Sequence, residues 1–207
     1  GVAPEVRRQY SIKFQNVNEG AQVIGTTPGL VPIRNLKVER GIWFDQSAII
    51  QRDRVAVLGA KIALKLFGET DPVSRTIQID RKNFEVIGVL EFKGGDTWAR
   101  LDDSVYVPVT TALYRLFNRR FLNQITVSID EREHIDGTVK EIEKEMRQMH
   151  RIGRDAENDF QIGNMDEMRK GMDQATGAFT ALLGGIALVS LFVGGIGIMN
   201  IMLVSVT

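Results

Sequence analysis

The C-terminal 34 residues (174–207) carry no Asp, Glu, Lys or Arg, although the chain contains 26 basic and 26 acidic residues. A bilayer core about 30 Å thick requires roughly 20 apolar residues in a helix. Residues 178–207 would reach about 45 Å at about 1.5 Å per residue. Core helices of soluble proteins rarely continue this far without a charge, and a signal peptide would lie at the other end of the chain. The pattern therefore predicts a transmembrane helix over residues 178–207, preceded by a polar helical stalk over residues 166–177.

Small residues recur along the predicted membrane helix. Gly177, Ala181 and Gly185 form one row at a spacing of four, and Ser190 and Gly194 form a second. A glycine costs about 1 kcal/mol in a soluble helix, whereas small residues let membrane helices approach one another closely. We therefore expect this helix to pack against another membrane helix outside the present sequence. Since a single span forms no transport path, the sequence is expected to be a piece of a longer protein, truncated at both ends.

In residues 1–173, which carry all the charges, the sequence predicts mainly short strands. A buried strand is predicted at residues 54–59, followed by an amphipathic helix at residues 60–67 that Gly68 terminates. Residues 76–90 alternate around a polar link and predict a β-hairpin. Further strands and short helices are expected on either side of these elements.

Residues 124–162 predict a β-α-β unit. Apolar and polar residues alternate over 124–129, and Asp136 can cap a helix that continues to about His150. Residues 160–162 form the last predicted strand. Because strands predominate before this unit, the fold class is α+β.

The composition argues against several kinds of chemistry. The net charge is zero, so the basic surplus typical of a nucleic-acid-binding protein is missing. The sequence has no cysteine, which excludes disulfides, thiolate zinc sites and cysteine nucleophiles. Its only histidines are His134 and His150, and no GxxxxGK[ST] phosphate loop occurs. We therefore predict no catalytic, metal-binding or cofactor-binding residue and no enzymatic activity.

Two groups of residues remain open to interpretation as surface features. Short basic groups are interpreted as solvated faces: Arg7-Arg8, Arg119-Arg120 and Arg151/Arg154. Three aromatic residues are either core residues or anchors of a partner interface: Trp43, Phe44 and Trp98. The sequence alone does not choose between these two roles.

Several strings resemble a known family. They are RVAVLG at 54–59, KLFG at 65–68, DPV at 71–73, TIQID at 76–80, FEVIGVL at 84–90 and VGGIGIMNIMLVSVT at 193–207. In their order and spacing the first five are similar to the periplasmic core domain of MacB-type ABC transporter permeases. The last resembles the start of the FtsX-like permease segment that follows this domain. Ser74 departs from the pattern, because the family commonly has glycine after DPV.

The resemblance implies a division of the soluble part into two subdomains. Residues 1–16 and 120–165 would form a membrane-proximal, porter-like β-α-β subdomain, and residues 17–119 an inserted, mostly β subdomain. It also implies a bacterial inner-membrane protein whose soluble domain is periplasmic or extracellular. The implied partners are an ABC ATPase that binds ATP, a second permease copy, a periplasmic adaptor protein and membrane lipid, with no nucleic acid.

The resemblance favours a permease fragment that transmits ATP-driven helix motion to export an antibiotic, peptide, toxin or lipoprotein. A membrane-tethered binding or sensing domain without transport is the alternative, although such an anchor would need no glycine rows. An envelope hydrolase with a membrane tail is a third possibility. It is disfavoured because the sequence shows no nucleophile and base in a recognisable arrangement.

Overall fold

The structure, a computed structural model, describes residues 1–94, 100–131 and 134–205. Contacts divide the chain into two units, Gly1–Arg132 and Glu133–Thr207. The first unit contains all the strands that the described residues form, and the second is helical. Each unit is considered by itself below.

Eight strands make up most of the first unit. They are β1 (Val2–Phe14), β2 (Val17–Thr26), β3 (Val38–Gly41), β4 (Val55–Leu58), β5 (Thr76–Ile79), β6 (Lys82–Leu90), β7 (Ser104–Pro108) and β8 (Gln124–Val127). The helices of this unit are short: α1 (Leu30–Ile33), α2 (Gln46–Gln51), α3 (Ala60–Phe67) and α4, which begins as Val109–Thr111 and continues as a π-helix over Ala112–Phe117. The predicted strand at 54–59, helix at 60–67 and hairpin at 76–90 are therefore present.

Six of the strands close into a ring. Neighbouring strands pair in the order β2-β7-β4-β6-β5-β1, and β1 pairs again with β2. The β2–β7 and β4–β6 pairs are parallel, and the other four pairs are antiparallel. β3 adds to β6 and β8 adds to β1, outside the ring. Closure leaves few unpaired strand edges, which favours a stable barrel.

The strand residues alternate between two apolar clusters, one on each face of the sheet. One cluster contains Val23, Leu58, Ile77, Phe84 and Val105, and α3 covers it with Ile62 and Leu66. The other cluster contains Ile24, Val57 and Tyr106, with Leu30 of α1 and Phe44 packed on them. Because the pleat period is two, strands β1, β2, β4, β6 and β7 contribute to both clusters. β5 contributes only to the first cluster, through Ile77 and Ile79.

β1 joins the barrel to β8. Residues 2–5 of β1 pair with β8, and residues 6–14 pair with β2. The family resemblance implies different subdomains for residues 1–16 and 17–119, but β1 and β2 form one hairpin that crosses this boundary. The change of partner lies between Glu5 and Val6. The division into two subdomains accordingly stays a prediction.

The second unit begins with α5 (Ile135–Met149). His134 occupies the N-cap position, and Asp136 lies in the first turn, so the prediction that Asp136 caps this helix is wrong. The following residues fold back on α5: Asn158 Nδ2 donates to Glu143 Oε1 at 2.8 Å, and His150 Nδ1 lies 2.8 Å from Asp159 Oδ1.

The predicted strand at residues 160–162 does not form. These residues have no strand partner in the described chain, and the Phe160 ring instead lies edge-on to the His150 imidazole at 5.8 Å. A strand needs a neighbour to satisfy its backbone N–H and C=O groups. The predicted β-α-β unit is therefore present only as β8 and α5.

Candidate functional surfaces

The second unit ends in one continuous helix, α6 (Met165–Ser205), of 41 residues. It includes the predicted stalk and most of the predicted span without interruption. Gly171–Ile196 is long and apolar enough to cross a membrane, and none of it is buried inside the structure. Large apolar side chains such as Leu182, Ile186 and Leu191 are more than half exposed. A helix with this exposed apolar surface requires a partner or a lipid environment.

The small residues of α6 lie on an open surface. A Cβ atom built on Gly177, Gly185 or Gly194 meets no atom within 4 Å. At 3.6 residues per turn, Gly177, Ala181 and Gly185 span an arc of roughly 80°. Ser190 and Gly194 begin roughly 140° beyond Gly185, on another side of the helix. The two rows therefore suit two different neighbours, and their packing role stays a prediction.

The aromatic pair next to β3 belongs to the core. Phe44 is only 2% exposed, and Trp43 is half-buried against it. The Trp43 ring centroid lies 4.7 Å from that of Phe44 and 5.4 Å from that of Tyr106. Of the two roles that the sequence leaves open, Phe44 has that of a core residue, because the chain after β3 folds it onto the sheet. A partner contact through Trp43 stays a prediction. Trp98 lies outside the described residues.

A buried carboxylate lies where β1 changes partners. The side chain of Glu5 is fully buried. Its Oε2 accepts hydrogen bonds from Arg7 Nη2 at 2.7 Å and Arg7 Nε at 3.2 Å. Its Oε1 accepts from Arg34 Nη2 at 3.0 Å and from the Thr126 hydroxyl at 2.6 Å. Glu5 therefore connects three elements, β1, β8 and the C-terminal end of α1.

The electrostatics of this cluster favour the ionised carboxylate. Burial raises the pKa of Glu5, but the hydrogen bonds from Thr126 and Arg7 and the charges of Arg34 and Arg7 outweigh it, so the pKa lies below its usual value. With its oxygens occupied, the carboxylate has no free position from which to act as a base. Its role is to hold the strands together.

No local pattern in the sequence indicates this cluster. Glu5 lies among apolar residues of a strand, and its partners Arg34 and Thr126 are distant in sequence. The only sign of it in the sequence is one acidic residue at a position of β1 whose side chain is buried. Its role cannot be inferred until the fold shows that Arg34 and Thr126 contact it.

The comparisons with known proteins cover almost the whole chain. The profile of the "MacB-like periplasmic core domain" matches residues 1–145. The macrolide export ATP-binding/permease protein MacB of Bdellovibrio bacteriovorus is 36% identical over 207 residues, which is 100% of this chain and 32% of that protein. The corresponding protein of Chlorobium luteolum is 41% identical over 100% of this chain and 31% of its own length. The chain thus spans about a third of the length of these relatives.

Two solved structures share the fold. The periplasmic region of MacB from Actinobacillus actinomycetemcomitans superposes with a TM-score of 0.69 at 19% identity, covering 84% of this chain and 75% of that one. The extracellular domain of the noncanonic ABC-type transporter YknZ from Gram-positive bacteria gives a TM-score of 0.64 at 22% identity, covering 72% and 75%. Together, the family profile and the full-length relatives show that the chain belongs to the MacB-like periplasmic core domain family of ABC transporter permeases.

Proposed function

We propose that this chain is part of the permease subunit of an ABC-type exporter. The observation that carries the proposal is the combination of a barrel unit with a 41-residue helix, whose apolar stretch Gly171–Ile196 is exposed, in a sequence whose relatives are ATP-binding/permease proteins across its whole length. In this proposal α6 spans the bacterial inner membrane. The barrel unit lies outside the cytoplasm, together with the rest of the proposed porter-like subdomain (1–16 and 120–165).

The proposed role is mechanical and not catalytic. An ATPase domain outside this chain binds and hydrolyses ATP, and the membrane helices pass the resulting motion to the extracytoplasmic units. A second permease copy and a periplasmic adaptor complete the assembly. The relatives are named for macrolide export, so a macrolide is the first substrate to test, ahead of a peptide, toxin or lipoprotein.

The arrangement of the described residues supports a mechanical role. The Glu5 cluster joins β8 to the barrel through charged hydrogen bonds, and such bonds resist separation better than neutral ones. A segment that transmits force must move with the barrel as one body. A tethered binding domain, the alternative function, would need no such joint.

The membrane orientation can be tested by cysteine labelling, because these 207 residues contain no cysteine. Any cysteine elsewhere in the full-length protein is replaced by serine, a single cysteine is introduced at the exposed residue Gln51 of α2, and intact cells are treated with a membrane-impermeant maleimide. We expect labelling without permeabilisation. Labelling that requires permeabilised cells would place the barrel in the cytoplasm and refute the proposal.

Transport is tested in a bacterium that lacks its own macrolide efflux. Expression of the full-length protein with its adaptor should raise macrolide resistance, and a hydrolysis-deficient ATPase variant should abolish the increase. If resistance does not depend on ATP hydrolysis while the external labelling is normal, the chain fits the alternative, a tethered binding or sensing domain.

A further inference from the structure

Two of the basic pairs in the sequence meet in the first unit. Arg7-Arg8 lies in β1, and Arg119-Arg120 lies in the loop between α4 and β8. The backbone N–H of Arg7 donates to Asn123 Oδ1 at 2.8 Å, and the Tyr10 hydroxyl donates to the backbone carbonyl of Leu116 at 3.1 Å. The segment around residues 116–123 therefore runs beside β1, which brings the two pairs together.

Aromatic rings hold two of the guanidinium groups. Arg8 Cζ lies 5.4 Å from the centroid of the Tyr10 ring, and Arg119 Cζ lies 5.1 Å from that of Phe121. Tyr10 in turn stacks on Phe117 at 5.6 Å. Stacking on a ring fixes the plane of a guanidinium and leaves its edge N–H groups available for an anion. We call Arg8, Tyr10, Arg119, Arg120 and Phe121 the basic–aromatic patch.

The positive charge of the patch is not neutralised by the described residues. None of their carboxylates lies within 4 Å of the Arg8, Arg119 or Arg120 guanidinium. Arg7, by contrast, points to Glu5 at 2.7 Å. Asp80 acts on Tyr10 electrostatically, but its carboxylate pairs with Lys82 at 3.4 Å. Among the described residues, Arg8 and Arg119 thus lack a carboxylate partner beside Tyr10 and Phe121, and Arg120 is exposed in the same loop as Arg119.

The patch also has an apolar component. Phe121 is 60% exposed and Leu122 is 36% exposed. The loop that carries them is fixed at both ends, because the Arg119 N–H donates to Leu113 O at 3.0 Å and the Asn123 N–H donates to Glu5 O at 3.1 Å. A small anion would neutralise the arginines but leave both apolar side chains exposed. The occupant must therefore offer negative charge and apolar surface together.

We propose that the basic–aromatic patch binds an acidic polypeptide segment that carries apolar side chains among its carboxylates. The charge complementarity selects an anionic partner, and the fork of a guanidinium matches a carboxylate in two parallel hydrogen bonds. Arginine and aromatic residues are also the side chains that most often dominate protein interfaces. A polypeptide fits better than a bilayer, because the anchored loop holds Phe121 against Arg119 and does not extend it for insertion. The proposal does not depend on the transport function.

The test uses the full chain in phosphatidylcholine nanodiscs and a fluorescent heptapeptide in which acidic residues (Glu, Asp) alternate with apolar residues (Phe, Leu). We expect saturable binding by anisotropy that weakens as salt rises. Replacing both Arg119→Glu and Arg120→Glu should weaken binding by roughly tenfold or more. The matched control, Arg151→Glu with Arg154→Glu, makes the same charge change at the third basic group and should leave the affinity unchanged.

Three outcomes would overturn the proposal. One is the absence of saturable peptide binding, and another is an equal loss of binding in the Arg151/Arg154 control. The third is Arg119-dependent capture of phosphatidylglycerol vesicles without peptide binding, which would assign the patch to a membrane surface. Phe121→Ala keeps the charge and should weaken peptide binding severalfold. Circular dichroism melting curves serve as a check that each variant is folded.

Discussion

The hydroxyl of Thr126 in β8 donates a 2.6 Å hydrogen bond to the buried carboxylate of Glu5 in β1, 121 residues earlier in the chain. This contact lies at the point where β1 leaves β8 and begins to pair with β2. Arg7 and Arg34 complete the cluster from β1 and α1. The joint between β8 and the barrel therefore depends on one ionised side chain.

Replacing Glu5 should destabilise the first unit. Glu5→Gln keeps the size of the side chain but leaves two partly buried guanidinium groups without a counter-charge. Removing one partner of a buried ion pair costs roughly 3–5 kcal/mol. Because Arg7 and Arg34 are 27% and 20% exposed, we expect a smaller loss, about 2–3 kcal/mol. Thermal unfolding of the chain in nanodiscs would show a lower midpoint.

A matched control for this change is available. Glu39→Gln makes the same substitution in β3 at an exposed residue, and exposed single charges contribute little to stability. If both variants unfold at the wild-type temperature, Glu5 does not hold the joint.

The same cluster predicts an acid-sensitive stability. The folded-state pKa of Glu5 is lowered from its usual value of 4.5, so the unfolded chain binds this proton more readily. The stabilisation from Glu5 is complete above the unfolded pKa and is lost as the pH falls through the lower, folded value. The difference between the unfolding midpoints of wild type and Glu5→Gln should therefore narrow as the pH falls from 7 to 3. A constant difference across this range would show that ionisation of Glu5 is not the source of its effect.

Close packing of α4 on β2 makes Gly25 a sensitive position. A Cβ atom built on Gly25 would lie 2.2 Å from Ala112 Cβ and 2.8 Å from Val6 Cγ1, so the helix would have to move. We expect Gly25→Ala to cost about 1–3 kcal/mol through overpacking. Gly20→Ala in the same strand meets only the Gln9 side chain at 3.7 Å and should be neutral or slightly stabilising. Equal melting temperatures for the two variants would contradict this packing.

Local patterns predicted the elements whose partners are close in sequence. The strand β4, the helix α3 with its terminal Gly68 and the β5–β6 hairpin all lie where their residues indicate. The polar link of the hairpin is expected at residues 81–83, and the turn lies one residue earlier, at Asp80-Arg81, both with positive φ. The first hairpin turns at Gln15, which also has positive φ.

The remaining features depend on distant partners. The parallel pairing of β2 with β7 closes the ring between strands that are far apart in the chain, and no local period encodes it. From the sequence alone, Phe44 and Trp43 fit a surface role and a core role equally well. The contact between the Trp43 and Tyr106 rings, which bears on this choice, is visible only in the fold. Arg8 and Arg119 become one surface only after residues 116–123 align with β1. The family and the apolar helix can therefore be predicted from the sequence, whereas the Glu5 cluster and the basic–aromatic patch cannot.

The two rows of small residues on α6 should differ in what they contact. Gly185→Leu and Gly194→Leu each add a bulky side chain to an open surface, but on sides of the helix that are roughly 140° or more apart. If each row packs against a different membrane helix, each change should uncouple macrolide export from ATP hydrolysis in the full-length protein. The control Val193→Leu enlarges an exposed residue of the same helix that lies roughly 80° from Gly185 and roughly 60° from Ser190, and it should retain export. Undiminished export in both glycine variants would refute the packing role, and loss in only one would assign the contact to that row, because a leucine cannot enter a close helix–helix contact built around glycine.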